Sequence, residues 1–86
     1  MDEYAEERNR IFIDFVKTGD AAAARKAFRK LGVRCPRGNQ ILAAGIYKAV
    51  QYCTNIPEDV KTTAMKKCLE MGFNPFIRPY DYDRGD

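Results

Sequence analysis

Apolar side chains recur every three or four residues along most of the chain, the spacing that places one hydrophobic stripe on a helix. Strand-type alternation of apolar and polar residues is nearly absent. The helical spacing covers four segments: about residues 2–17, 21–31, 40–53 and 57–71. The pattern therefore predicts an all-α fold of four short helices.

Turn and cap residues separate the four segments. Gly19 suits the end of the first helix, and Asp20 is a good N-cap for the second. Asn39 is the predicted N-cap of the third helix. Asn55 and Glu58 have the spacing of a capping-box-like pair at the start of the fourth.

The connections are short enough to make consecutive helices antiparallel neighbours. We therefore expect a single domain over residues 1–86, formed by two αα-hairpins and an extended C-terminal tail, as a small bundle or a solenoid-like pair. The tail should contact the bundle through Phe73, Phe76 and Ile77. The three parts are hairpin 2–32, hairpin 39–72 and tail 73–86.

The apolar stripes also predict which side chains are buried. Ile41 and Leu69 fall on the core-facing stripes of the third and fourth helices. Tyr47 and Tyr52 fall off the main stripe of the third helix, so we expect both rings near the surface. Exposed aromatic rings beside arginines suit either a protein hot spot or base stacking.

The two hairpins resemble each other at an offset of 40 residues, a period in the range of α-solenoid repeats. The matching positions are Ala24 and Ala64, Lys26 and Lys66, Leu31 and Met71, and Gly32 and Gly72.

Two stretches resemble the pentatricopeptide type of helical-hairpin repeat, a relative of the tetratricopeptide type. They are Lys17-Thr18-Gly19-Asp20, continued by Ala24-Arg25, Phe28 and Leu31-Gly32-Val33, and the later Glu70-Met71-Gly72-Phe73-Asn74-Pro75. The resemblance implies stacked helical hairpins. It also implies binding of single-stranded RNA, which arrays of that family recognise at one base per repeat.

Charge is unevenly distributed along the chain. The net charge is +3, but acidic residues concentrate near both ends, and residues 8–80 carry 14 Lys and Arg against five acids. Such a basic body can meet nucleic acid, an acidic protein or an anionic membrane surface, or can simply be solvated.

The strongest charge feature is a run of cations in and after the second helix. No acidic residue lies between Asp20 and Glu58 to balance them, and like charges spaced four apart on a helix repel one another. We name this set the basic face and predict that it contacts a partner, together with Phe76 and Tyr80 of the tail. It consists of Arg25, Lys26, Arg29, Lys30, Arg34 and Arg37.

The sequence contains no recognised catalytic motif. The chain has no histidine, no glycine-rich phosphate loop and no C-x-x-C pair. Its three cysteines, Cys35, Cys53 and Cys68, are widely spaced, which favours reduced core thiols over zinc ligands or a disulfide framework. We therefore predict a non-enzymatic protein with no catalytic residues, no cofactor and no metal. The cysteines, together with an acidic N-terminus that lacks a signal-peptide pattern, predict an intracellular, most simply cytoplasmic, protein without membrane insertion.

Three functional hypotheses remain open at this point. The first is a small adaptor or accessory subunit that binds a larger assembly with an acidic surface. The second is a nucleic-acid-binding protein that contacts phosphates of RNA or DNA through the basic face. The third is a structural subunit of an oligomer.

Overall fold

The computed structural model describes residues 3–76, and these residues form four α-helices with no β-strand among them. The all-α prediction is therefore confirmed. The helices are α1 (Glu3–Thr18), α2 (Ala21–Lys30), α3 (Asn39–Ala49) and α4 (Glu58–Glu70), and a 3-10 turn (Val50–Tyr52) follows α3.

The turn between α1 and α2 follows its sequence signals. Gly19 has a φ of +71°, a left-handed conformation that costs glycine little. The Asp20 side chain accepts a hydrogen bond from the backbone N–H of Ala23 at 3.0 Å. This bond satisfies one of the free donors at the start of α2, as expected of an N-cap.

The second hairpin begins its helices differently from the prediction. Asn39 is the first residue of α3 rather than its cap, and Gly38 precedes it without a side-chain cap. Pro57 holds the N-cap position of α4, and the predicted pairing of Asn55 with Glu58 does not cap the helix. Instead, Asn55 turns the chain with a φ of +64°, which asparagine tolerates better than most residues.

The core lies where α1, α3 and α4 meet, and α2 closes one side of it. Aromatic contacts join the helices: Phe12 meets Phe28 edge-on at 5.8 Å between ring centroids, and Phe15 contacts Tyr47 at 5.7 Å. The fully buried large side chains are Phe12, Phe28, Leu42, Ile46, Val16, Val50 and Cys68.

Helix α3 is buried on almost all sides, because every residue from Ala44 to Val50 is buried. The expectation that Tyr47 lies near the surface is therefore wrong, since its ring is only 6% exposed. Tyr52, beyond the end of the helix, is exposed as expected. The predicted burial of Ile41 and Leu69 is also wrong, because each is about half exposed.

The hairpins close into a bundle rather than an open solenoid. Helices α1 and α2 pack together, as do α3 and α4, but α1 and α3 each pack against all three other helices. Two side chains bond α1 to the second hairpin: Asn9 Nδ2 donates to Thr54 O at 3.2 Å, and Lys67 Nζ donates to Val16 O at 2.9 Å.

Helices α2 and α4 end in the same way, 40 residues apart. Gly32 and Gly72 have φ values of +78° and +86°. The N–H of Val33 bonds to Phe28 O at 2.9 Å, and the N–H of Phe73 bonds to Cys68 O at 3.1 Å. Both ends are therefore Schellman caps, and the 40-residue similarity seen in the sequence is a similarity of backbone conformation at these ends.

Candidate functional site

The basic face lies on α2 and on the connector that follows it. Five of its six residues are exposed, and the sixth, Arg25, is half-buried. Among residues 3–76, Arg10 and Glu7 form a surface ion pair, which lies on α1 and away from the basic face. The five exposed residues are Lys26, Arg29, Lys30, Arg34 and Arg37.

Arg25 ties α2 to the connector. Its Nη1 donates to Pro36 O at 2.8 Å, while Nε and Nη2 both lie 3.4 Å from Asn39 Oδ1. The amide of Asn39 therefore orients an arginine instead of capping α3. A guanidinium has five N–H bonds, and these contacts use three of them to orient the group.

Beside Arg25 lies a surface cleft of about 260 Å³, which we name the cationic cleft. Its lining consists of Arg25, Arg29, Val33, Arg34 and Cys35. None of these described lining residues is a carboxylate. Three guanidinium groups from two segments of the chain therefore surround one concave site with a buried valine at its base.

The Cys35 thiol in this cleft is half-buried. Burial raises its pKa above the ordinary value, and this effect outweighs the lowering by Arg25 and Arg29. The thiol is therefore protonated and neutral at pH 7. It neither repels an anion nor presents the thiolate that a nucleophile requires.

A second cleft, about 540 Å³ in volume, lies at the end of α4, and we name it the apolar cleft. Its lining consists of Met65, Leu69, Gly72, Phe73, Asn74, Pro75 and Phe76. Each of the five residues of the cationic cleft has its counterpart here at an offset of 40. The pairs are Arg25 and Met65, Arg29 and Leu69, Val33 and Phe73, Arg34 and Asn74, and Cys35 and Pro75.

Pro36 and Phe76 also lie 40 residues apart, and the carbonyl of each accepts a side-chain hydrogen bond. The donors, Arg25 and the Tyr52 hydroxyl, do not correspond in position. The two clefts therefore occupy corresponding positions after the matching caps of α2 and α4, and one is lined with cations and the other mainly with apolar side chains.

Of the two tail residues predicted to contact a partner, the structure describes Phe76 but not Tyr80. Phe76 is 60% exposed at the rim of the apolar cleft, beside the exposed Leu69. Its side chain is therefore not covered by the bundle, whereas Phe73 is partly buried. Tyr80, and the expected contact of Ile77 with the bundle, lie outside the described residues.

Sequence reasoning missed a polar cluster between α3 and α4. Lys48 is only 6% exposed, and its Nζ lies 4.9 Å from the centre of the Phe73 ring, a cation–π contact. Burial raises the pKa of the Cys68 thiol, and Lys48 partly offsets that rise. A lysine next to a tyrosine on an apolar helix gave no signal of this, because its burial comes from the central position of α3.

Several other kinds of site were sought within residues 3–76. No group of three or more acidic or cysteine side chains there is placed to bind a metal ion. No helix in this part of the chain is long and apolar enough to cross a membrane. None of the three cysteines is bridged to another.

Comparisons with protein-family models, curated proteins and solved structures find no match to this chain. Proposals about function therefore rest on the basic face and the two clefts.

Proposed function

We propose that this protein is a small, non-enzymatic adaptor or accessory subunit that binds an acidic surface of a larger protein assembly. The observation that carries the proposal is the basic face: six cations, five of them exposed, in a stretch of sequence with no acidic residue between Asp20 and Glu58. A complementary negative surface would be steered towards it and held in register. An intracellular, most simply cytoplasmic, setting belongs to this proposal, and the odd number of widely spaced cysteines supports it.

The apolar cleft supports a second part of the contact. Leu69 and Phe76 are each more than half exposed there. Aromatic and aliphatic side chains of this kind form the dry centre of protein interfaces, where most of the binding energy is concentrated. In this proposal the basic face orients the partner, and Phe76 with the rest of the tail adds apolar contact.

Binding of nucleic acid through phosphate contacts is the second candidate. The observation in its favour is that Lys26 and Lys30 are exposed on adjacent turns of one helix. The resemblance to RNA-binding helical repeats points the same way. We rank it second because the arginines converge on a cleft instead of forming a track for successive phosphates.

Charge reversal tests whether the basic face contacts a protein partner or is only solvated. The variant Lys26→Glu with Lys30→Glu should abolish recovery of a nuclease-resistant protein partner from native extract. The matched control is Lys17→Glu with Lys66→Glu, which changes the same number of exposed charges elsewhere. Equal recovery by both double variants would reject the basic face as the contact.

Salt dependence separates protein from nucleic acid. If the basic face made about four to six phosphate contacts, the logarithm of the affinity for RNA or duplex DNA would fall with log salt at a slope of roughly −3 to −5. Under the leading proposal we expect only weak, nonspecific binding of RNA or DNA. Submicromolar binding of a short single-stranded RNA or duplex DNA at physiological salt would favour the second candidate.

A further inference from the structure

We propose that the cationic cleft is a binding site for one phosphate monoester group, carried by a phosphorylated side chain of the protein partner. The proposal rests on the proposed function, because it names the chemistry that the acidic partner presents to part of the basic face. The lysines of the basic face lie outside the cleft and would contact the acidic residues around that group.

The arrangement of arginines favours phosphate over carboxylate. A guanidinium binds phosphate oxygens through parallel N–H bonds, and such charge-assisted bonds are stronger than neutral ones. One bidentate arginine occupies both oxygens of a carboxylate. A phosphate monoester has three terminal oxygens and about two negative charges, so it can accept bonds from several guanidinium groups around one cleft.

Arg25 is held ready for this role before any ligand arrives. Its bonds to Pro36 O and Asn39 Oδ1 fix the guanidinium. Fixing the group in advance reduces the entropy lost on binding. Arg29 approaches from the next turn of α2, and Arg34 from the connector.

The remaining lining suits the linker of a phosphorylated side chain. Val33 is 5% exposed and provides an apolar base on which the carbon chain of such a residue can rest. The neutral Cys35 thiol adds no negative charge. A nucleic-acid backbone presents phosphodiesters with a single charge, each flanked by further nucleotides, which suits an extended groove better than one short surface cleft.

Titration of the full-length protein with three ligands tests the site. The ligands are inorganic phosphate, a Gly-phosphoserine-Gly peptide with blocked ends, and the same peptide with glutamate in place of phosphoserine. Binding is followed by backbone NMR shifts around Val33 and by the rate at which Cys35, identified by mass spectrometry, is alkylated. We expect the phosphoserine peptide to bind roughly tenfold more tightly than the glutamate peptide and to slow alkylation of Cys35.

A pair of charge-matched variants distinguishes a site from general attraction. Arg29→Gln should weaken phosphopeptide binding roughly tenfold, whereas Lys26→Gln, one exposed charge on the same helix outside the cleft, should change it less than about twofold. Equal losses in both variants, equal affinity for the two peptides, or stronger protection of Cys35 by a short single-stranded RNA would each overturn the proposal.

The outcome is separable from that of the proposed function. If the phosphopeptide fails to bind while the Lys26 and Lys30 reversal still abolishes partner recovery, only the phosphate site is wrong. If the phosphopeptide binds the cleft but partner recovery is insensitive to that reversal, the phosphate chemistry is correct and docking through the lysines is wrong.

Discussion

At the scale of single residues, two buried polar side chains hold positions that the hydrophobic pattern does not reveal. Asn9 is 4% exposed, and its amide joins the middle of α1 to the turn before α4. Lys48 lies over the Phe73 ring. Both partners are distant in sequence, so spacing along the chain gives no information about them. Such contacts depend on how the helices pack.

We predict that Asn9→Ala lowers the free energy of unfolding by about 1–2 kcal/mol, because it removes the hydrogen bond that the buried Asn9 amide donates to Thr54 O. Chemical denaturation followed by circular dichroism measures this change. Gln40→Ala, at an exposed polar position, is the control and should alter stability by less than about 0.5 kcal/mol. A loss for Asn9→Ala as small as that of the control would contradict the prediction.

The buried thiol of Cys68 predicts how stability depends on pH. Burial raises the pKa of Cys68 in the folded protein, and burial together with the nearby Cys68 raises the pKa of Tyr47. Both groups are neutral below their unfolded pKa values, so stability is fully present there. As pH rises above about 8.5, the unfolded chain loses these protons first, and the free energy of unfolding falls.

Denaturation at pH 7, 8, 9 and 10 checks the thiol contribution. Cys68→Ala should be less stable than the natural chain at pH 7, because it removes a buried group, but its stability should fall less steeply between pH 8 and pH 10. Parallel pH curves for the two proteins would show that the Cys68 thiol does not contribute to this dependence.

At the scale of elements, local sequence predicted the glycine-ended helices α2 and α4 better than α3, which ends at Ala49 and not at residue 53 as expected. Glycine at the left-handed position after α2 and α4 needs only its own backbone conformation, which is a local property. The start of α3 is different, because the amide expected to cap it is bound by Arg25 from α2 instead. A capping prediction fails where a tertiary contact competes for the same side chain.

The matching Schellman caps predict matching mutational costs. Gly32→Ala and Gly72→Ala should each destabilise the protein by about 1–2 kcal/mol, because an L-residue is strained at a φ near +80°. No atom lies within 4 Å of the added Cβ at either site, so the cost arises from backbone conformation alone.

Thermal denaturation of both variants tests this equivalence. Gly32→Asn serves as the control and should recover part of the loss, since asparagine tolerates the left-handed region. A difference of more than about 1 kcal/mol between the two alanine variants would contradict the structural equivalence of the caps.

At the scale of the whole molecule, the sequence predicted an all-α fold but left open whether its hairpins form a bundle or a solenoid. The choice depends on contacts between distant helices, such as Phe15 with Tyr47 and Lys67 with Val16. In the bundle α3 packs against all three other helices, which explains why it is buried on almost all sides. The basic face was visible in the sequence because it is a run of neighbours. The cleft was not, because it depends on where the connector places Arg34 and Cys35.

Because the helices of the two hairpins pack against each other, we expect that neither hairpin folds alone. Peptides covering residues 1–37 and 38–86 should each show little helix by circular dichroism, because most of their helices are too short to be stable in water without packing. The intact chain should instead unfold in one cooperative transition. A cooperative thermal transition in either peptide would indicate independent hairpins, as in an open repeat array.

Because the two clefts occupy corresponding positions, the side chains of one can be transferred to the other within the same protein. Transplanting three arginines to the counterpart positions, as Met65→Arg, Leu69→Arg and Asn74→Arg, would give the second hairpin the cation pattern of the first. Such a chain would hold two like sites at a spacing fixed by the bundle. A ligand with two phosphorylated side chains at that spacing would then bind with avidity, about 10²-fold above a single site. One domain would thereby change from a monovalent to a bivalent receptor without any alteration of its backbone.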